Sequence, residues 1–351
     1  MMAGDGWLVR VRPPLGRMTR AQTLGLCDAA LRFGNGHLDI TNRAALQIRG
    51  VSESGHGNLV ARLVALGLVD PDPSRDARPS IIVNPDWMPG DATDGIVRAL
   101  AARIGELPPL PSKMGFAIDA GLAPSIADTA ADFRIERGEG GGLILRAAGR
   151  EKGLPVAQAD AVDALIALAR WFVASGGAQT GRMIRHDAPL LHEATERPGA
   201  LRTRKATLAA ASGPFLGAPF GRIEAVVLQA ALGSDVRAVR LTQWRGLILE
   251  GSSARGDDPD DPLIAAHACP GAPACPQASV STRALAARLA PRVKGLHVSG
   301  CAKGCAHPAP AAVVLTGRDG RFDLARDARA GAPPDALGLD PDEILALFGA
   351  C

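Results

Sequence analysis

The chain carries one structural plan twice, and that repeat limits the folds open to it. In the first copy Gly16-Arg17-Met18 leads into a helical stretch that stops at Gly34-Asn35-Gly36. It continues as His37-Leu38-Asp39-Ile40-Thr41-Asn42-Arg43 and then Leu46-Gln47-Ile48. In the second, Gly221-Arg222-Ile223 opens the helical stretch and Gly233 ends it. Arg237-Ala238-Val239-Arg240-Leu241-Thr242-Gln243-Trp244-Arg245 and Leu247-Ile248-Leu249 follow. The shared skeleton is a helix, a glycine stop, a strand ending in threonine, an arginine shortly after, and a second strand. Leu24, Cys27, Ala30 and Leu31 fall at helical spacing and predict one apolar face. Gly34 and Gly36 suit the left-handed conformation that ends a helix. Leu38 and Ile40, like Leu46 and Ile48, alternate with polar neighbours, as half-buried strands do.

A larger α/β stretch is expected after each copy. After the first come a helix over 59–66, a strand at 81–83, a helix over 96–104, strands at 116–118 and 143–145, and a long helix over 157–173. The glycine-dense run 138–142 precedes its strand and reads as a turn. Residues 186–211 are polar and mixed and read as a linker. After the second copy come a helix over 282–289, strands at 296–298 and 313–316, and a helix over 342–348; 326–341 reads as a loose connection. The expected organisation is therefore a half-domain over 1–70, an α/β domain over 71–185, linker and second half-domain over 186–255, and a second α/β domain over 256–351. The fold class is α+β with a pseudo-twofold repeat.

A chain of 351 residues exceeds one hydrophobic core, and its 47 % hydrophobic content can fill several. The net charge of +3 is thinly spread and aromatics are 3 %, so neither a basic stripe nor a stacking platform points to nucleic acid. No run of 18 apolar residues predicts a membrane span. Residues 1–11 do not read as a secretory signal, so a cytoplasmic location is expected. In that reducing setting clustered cysteines are metal ligands or catalysts more often than disulfides.

Four of the six cysteines form two close pairs. Cys269 and Cys275 enclose Pro-Gly-Ala-Pro-Ala, a sequence that forbids helix and strand and makes a stiff loop. Cys301 and Cys305 lie in Ser-Gly-Cys-Ala-Lys-Gly-Cys-Ala-His-Pro, where small residues let the backbone wrap a bulky group. Four thiolates are the usual ligands of a 4Fe-4S cluster. Zinc usually takes pairs separated by two to four residues, and the first pair here is wider. Disulfides and unrelated buried thiols are the other readings, disfavoured by compartment and by the Gly/Pro loops. Cys27 lies on an apolar helix face and is expected in the core, and Cys351 is assigned no role.

With these residues in view, the chain resembles the sirohaem and iron–sulfur sulfite and nitrite reductases. The Cys-x5-Cys pair followed by Ser-Gly-Cys-x3-Cys is similar to their cluster site. The run Thr41-Asn42-Arg43 to Gln47-Ile48-Arg49-Gly50 resembles their first ferredoxin-like half-domain. The resemblance covers nearly the whole chain and implies two ferredoxin-like half-domains, each followed by an α/β domain. Three features depart from the reductases. The chain is short, Ala302-Lys303-Gly304 stands where they carry Pro-Asn-Gly, and Lys113-Met114-Gly115 keeps only one cation of their Lys-x-Lys pattern. Fewer cations weaken the electrostatic case for reducing sulfite or nitrite. Ser-Gly-Cys-Ala-Lys-Gly-Cys-Ala-His-Pro and Lys-Met-Gly-Phe-Ala-Ile-Asp look like those of the precorrin-3B synthase branch.

That resemblance implies oxygen-dependent oxidation of precorrin-3A, with C20 hydroxylation and γ-lactone formation, in aerobic cobalamin biosynthesis. It implies Cys269, Cys275, Cys301 and Cys305 as cluster ligands, with Cys305 as the bridge to a sirohaem iron if that cofactor is bound. Arg43 and Lys113 are expected in catalysis, and Arg43, Gln47, Arg49 and Lys113 in binding the tetrapyrrole. Sirohaem or a separate mononuclear non-haem iron would activate dioxygen; His267 and His307 are the imidazoles nearest the cysteines. No Gly-x-Gly-x-x-Gly follows a strand, so electrons come from a redox protein or from NADH bound without that motif. A small sirohaem-dependent reductase is the second reading. A non-catalytic iron–sulfur protein that senses redox state or escorts tetrapyrroles is the third.

Overall fold

The computed structural model describes residues 2–72 and 79–350, and its α+β architecture is built on four sheets. The first orders β1 (Met2–Ala3), β2 (Gly6–Val11), β5 (Leu46–Val51), β4 (His37–Ile40) and β12 (Arg222–Glu224). The second orders β11 (Phe215–Gly217), β14 (Gly246–Glu250), β13 (Ala238–Leu241) and β3 (Arg17–Thr19). The two copies thus exchange a strand: β12 of the second pairs antiparallel with β4 of the first, and β3 of the first with β13 of the second. The inward residues Met18 and Ile223 of the exchanged strands explain this pairing. Both are buried in one core with Leu26, Leu38, Leu228 and Val239, so neither copy closes its core alone. Helices α1 (Arg20–Phe33), α2 (Glu53–Ala65) and α5 (Ala225–Ala231) supply the other side of that core.

The repeat is accurate to single residues. The turn Pro14–Gly16 holds Leu15 at φ 56°, and Pro219–Gly221 holds Phe220 at φ 57°. The Thr41 N–H donates to Ala45 across a tight loop (2.8 Å), and the Thr242 N–H to Gly246 (3.0 Å). The left-handed place in these loops is taken by Ala44 (φ 49°) and Arg245 (φ 58°). The structural counterpart of Arg43 is therefore Trp244, and the two arginines matched in sequence stand one place apart. Cys27 is fully buried, whereas Leu31 is exposed. Gly34 is extended (φ −115°), and Gly36 makes the left-handed turn (φ 78°).

The two α/β sheets share one pattern. β6 (Ser80–Val83), β7 (Gly115–Asp119) and β8 (Phe133–Arg137) run parallel, and β9 (Leu143–Ala147) and β10 (Leu154–Val156) continue antiparallel. β15 (His267–Ala268), β16 (Leu296–Ser299) and β17 (Ala311–Arg318) run parallel, then β18 (Arg321–Ala328) and β19 (Ala336–Leu339) antiparallel. Parallel neighbours need crossovers, supplied by α3 (Ala92–Ala102) and α6 (Arg283–Leu289). Apolar residues of α4 (Ala161–Ala174) and α7 (Pro341–Leu347) complete the two cores.

Two segments differ from the sequence reading. Residues 186–203 are not a detached linker: Glu196 and Pro198 bridge to Gly153 and Gly138 of the first α/β domain. The stretch 326–341 holds the end of β18 and all of β19. Cys351 lies outside the described residues. No described helix is long and apolar enough to cross a membrane.

Candidate functional site: cysteine loops beside a cationic sheet face

The four cysteines leave the ends of two neighbouring parallel strands, where ligands of α/β sheets commonly bind. Cys269 follows β15, and Cys275 lies in the next loop, which contains the cis bond Ala272–Pro273. Cys301 and Cys305 follow β16. The Gly300 N–H donates to Cys269 Sγ at 3.1 Å, a bond suited to a thiolate. The Thr282 hydroxyl holds the Cys269 carbonyl, and the Ser299 hydroxyl holds the Cys301 carbonyl at 2.7 Å. Gly271 and Gly304 adopt φ 68° and 60°, positions a side chain would strain. Burial pushes the Cys305 thiol up, and Cys301, Cys269 and Cys275 push it further, against the pull of Lys303. All four thiols therefore share one electrostatic neighbourhood. Cys269 is buried, Cys275 and Cys301 half-buried, and Cys305 exposed at the rim.

The three imidazoles beside these loops do not make a ligand set. His267 and His307 stack with centroids 4.2 Å apart, and Arg245 approaches His267 Nδ1 at 3.3 Å. A nitrogen accepting from that guanidinium leaves the proton on Nε2, so neither nitrogen is open to a metal. Among the described residues no three His, Cys, Asp or Glu side chains close around a single ion. Burial, then Arg245, lowers His267 to about 3, and burial, then His307 and Arg245, lowers His297 to about 4, so both are neutral at neutral pH.

The first sheet turns a polar face toward the cysteine loops. Its core face holds Leu38, Ile40, Leu46 and Ile48. Period-two alternation puts Arg10, Gln47, Asp39 and Arg222 on the other face, where strand register sets them in one row. Burial alone would raise the Asp39 carboxyl, yet Arg222, Arg283 and Arg49 together hold it below its ordinary value. Arg283 reaches Asp39 from the start of α6, while its Nε and Nη1 are buried without a protein partner. Arg49 donates to both oxygens of Asp5 (3.1 and 2.9 Å) and to the Ala274 carbonyl (2.7 Å), between Cys269 and Cys275. Its Nε and Nη2 fasten the sheet to the cysteine loop, a structural task beside the binding role expected from sequence.

Arg43 and Lys113, 70 residues apart in sequence, do meet. Arg43 Nη1 donates to the Lys113 carbonyl at 3.0 Å, and the Lys113 side chain is exposed. Burial, then the neighbouring Arg182, lowers the Arg43 guanidinium; Asp132 opposes them, and Arg10 and Arg12 lower it further. A cavity of about 780 Å³ lies beside this group, with Arg12, Arg43 and the Pro14–Gly16 turn in its wall. Sequence reasoning missed Arg10, Arg12 and Arg182. The alternation Leu8, Arg10, Arg12 against Val9 and Val11 was a readable signal for the first two. Arg182 sits in an irregular loop that carries none.

The pseudo-equivalent face of the second sheet is closed. Its row is Arg17, Arg240, Ile248 and Phe215. Arg240 is buried on Glu250 and packs over the Trp87 ring at 4.2 Å. Phe215 and Ile248 form an apolar cluster with Leu208. Only the first face combines a row of polar residues with the cysteine loops.

Both expected groups can be tested against these residues. The donor set of four thiols, with a backbone N–H on one of them, suits an iron–sulfur cluster. The orphaned buried nitrogens of Arg283 and the surplus of arginine over carboxylate suit an anionic ligand between sheet and loops.

Comparison with known proteins agrees with this plan. Residues 1–66 match the family model of the nitrite/sulfite reductase ferredoxin-like half domain. The chain is 28 % identical to a protein named precorrin-3B synthase from a Sinorhizobium species, over 96 % of this chain and 83 % of that one. The solved structure of the Mycobacterium tuberculosis NirA protein superposes with a TM-score of 0.63, covering 96 % of this chain and 78 % of that chain at 17 % identity, a likeness of fold. The chain is thus a relative of a protein named precorrin-3B synthase, with the fold of NirA and a half-domain of the nitrite/sulfite reductase type over residues 1–66.

Proposed function

We propose that the chain is an oxidoreductase that converts precorrin-3A to precorrin-3B. The observation that carries this reading is the asymmetry of the two sheet faces: the cationic one lies against the cysteine loops, and its counterpart is plugged by Trp87, Arg240 and Phe215. A polycarboxylated macrocycle needs a broad floor rimmed with guanidinium groups. The first sheet supplies the floor through Gln47, and Arg10, Arg12, Arg43 and Lys113 supply positive charge around it. Arg49 and Arg283 join this floor to the cysteine loops.

Monooxygenation places one oxygen atom of dioxygen in the substrate and the other in water, and consumes two electrons and two protons. Cys269, Cys275, Cys301 and Cys305 would hold a 4Fe-4S cluster, which would pass on single electrons from an external donor, NADH or a redox protein. Cys305, the exposed thiol, stands at the rim. The chain's own part is to hold the macrocycle flat on the sheet and to keep its carboxylates on fixed cations. Thiol ligation of this kind belongs in a reducing compartment such as the cytoplasm.

The experiment is anaerobic purification, followed by an optical spectrum, iron and sulfide counts, and turnover. The expected results are a broad cluster absorbance without sirohaem bands, and oxygen-consuming conversion of precorrin-3A. Cys301→Ser should lose the cluster absorbance. Turnover of sulfite or nitrite in place of precorrin-3A would sink the reading in favour of a small reductase. An intact cluster with none of these activities would favour a redox-sensing or tetrapyrrole-escort protein.

A further inference from the structure

The reductase pattern places a second cation at the position of Gly115, where the structure leaves little room for a side chain. A Cβ on Gly115 would lie 2.8 Å from Ser80 Oγ and 3.1 Å from the Ser80 carbonyl oxygen, on the adjacent parallel strand. The nearer atom is a serine hydroxyl, and the carbonyl on the adjacent strand would have to give by a few tenths of an ångström. With glycine at 115, a second positive charge at this end of β7 comes from another element.

Asp132 brings one. Its carboxylate is fully buried just before β8. One oxygen accepts the Gly115 N–H at 3.1 Å. The other accepts the Met183 N–H at 2.9 Å and Arg182 Nε at 2.8 Å. Asp132 thereby clips the loop after α4 onto the strand that follows Lys113. Gly181 at φ 74° turns the chain into this position, and the Thr180 hydroxyl reaches the Arg182 carbonyl at 2.9 Å. Only Nε of Arg182 is engaged among the described residues, so its two terminal amino groups remain for a ligand. Arg182 also lies close enough to Arg43 to depress it. Gathering arginines around one already committed carboxylate costs free energy unless an anion joins them.

We propose that Arg182 is a carboxylate-binding residue of the tetrapyrrole site, held by Asp132 and standing in for the cation that position 115 lacks. The inference rests on the tetrapyrrole reading above and specifies how that site distinguishes its ligand. A pair formed by the two terminal amino groups of Arg182 recognises a planar carboxylate, whereas a lysine at position 115 would have offered a point charge.

The test uses the full chain and uroporphyrin III, a tetrapyrrole with eight carboxylates, in an optical titration that needs no turnover. Arg182→Gln keeps an N–H for Asp132 and removes the charge, so the loop stays clipped. The expected result is wild-type binding, with affinity in Arg182→Gln lower by at least about tenfold, the scale of one charge-assisted hydrogen bond. The salt dependence of binding should also become shallower, and affinity for the uncharged octamethyl ester should not change. Equal affinity of the two proteins for uroporphyrin would overturn the proposal, as would an equal loss for acid and ester, which marks a structural role. Failure of the wild-type protein to bind uroporphyrin would overturn the tetrapyrrole reading itself.

Discussion

At the residue scale, buried carboxylates divide into two kinds. Asp39 and Glu250 lie among arginines, and both are held below their ordinary values despite burial. Asp119 accepts hydrogen bonds from Ser125 and Ile126 and from no arginine, and the charge of nearby Arg134 does not outweigh its burial. That burial pushes it up to about 6 and Glu136 adds to the rise, while the N–H groups of Ser125 and Ile126 and the Ser125 hydroxyl pull it down. Between its ordinary 3.8 and about 6 the native carboxyl keeps a proton that the unfolded chain has released. The contribution of Asp119 is therefore fully present below about pH 4 and lost as pH rises through 6. The limit is about 3 kcal/mol for a shift near two units. Urea unfolding of wild type and Asp119→Asn across pH 4–7 should show this slope in the wild type alone. Parallel pH profiles in the two proteins would refute it.

Individual residues also show how much of the site was legible. The two cysteine loops, which follow the neighbouring strands β15 and β16, were readable as loops because their chemistry and spacing are local. Arg43 and Lys113 were located through resemblance, and the structure brings them together. Arg49 looked the same as Arg43 in sequence, yet Asp5 and Ala274 engage its Nε and Nη2, and those contacts span 44 and 225 residues. Arg182 was invisible for the same reason: its partner Asp132 is 50 residues away, and its loop has no periodicity.

At the element scale, the two copies differ most at their first helices. β3 runs directly into α1, and Thr19 caps the helix in a reciprocal box with Gln22. In the second copy β12 runs into α5, where Glu224 makes no side-chain cap and the helix has 7 residues against 14. The helix itself was readable from its apolar spacing, but the strand before it was not. Arg17–Thr19 is three residues long and finds its partner, β13, in the other copy. Thr19→Ala should cost about 1 kcal/mol, the usual worth of such a cap, and Thr19→Ser should cost much less. Urea midpoints measure both. Equal stability of Thr19→Ala and wild type would show that pairing with β13 alone fixes the start of α1.

At the scale of the whole molecule, the repeat is a mutual dependence. Each copy donates an edge strand to the other, and Met18, Leu38, Ile223 and Val239 share one core. A fragment of residues 1–185 would leave β4 without β12 and would uncover Leu26 and Leu38. A fragment of 186–351 would leave β13 without β3 and uncover Val239. Unpaired edges beside bared apolar surface favour aggregation. Each fragment expressed alone should therefore be insoluble or lack dispersed amide resonances, and co-expression should yield a soluble one-to-one complex. The same dependence bears on the site. The floor belongs to the first sheet, the row on it ends at Arg222 of the second copy, and the cysteine loops belong to the last domain. The complex of fragments should regain cluster absorbance, whereas 186–351 alone, although it holds all four thiols, should not retain it. A stable cluster in that fragment would show that the cysteine loops are organised without Arg49 and the first sheet, and the coupling between floor and cluster would fall with it.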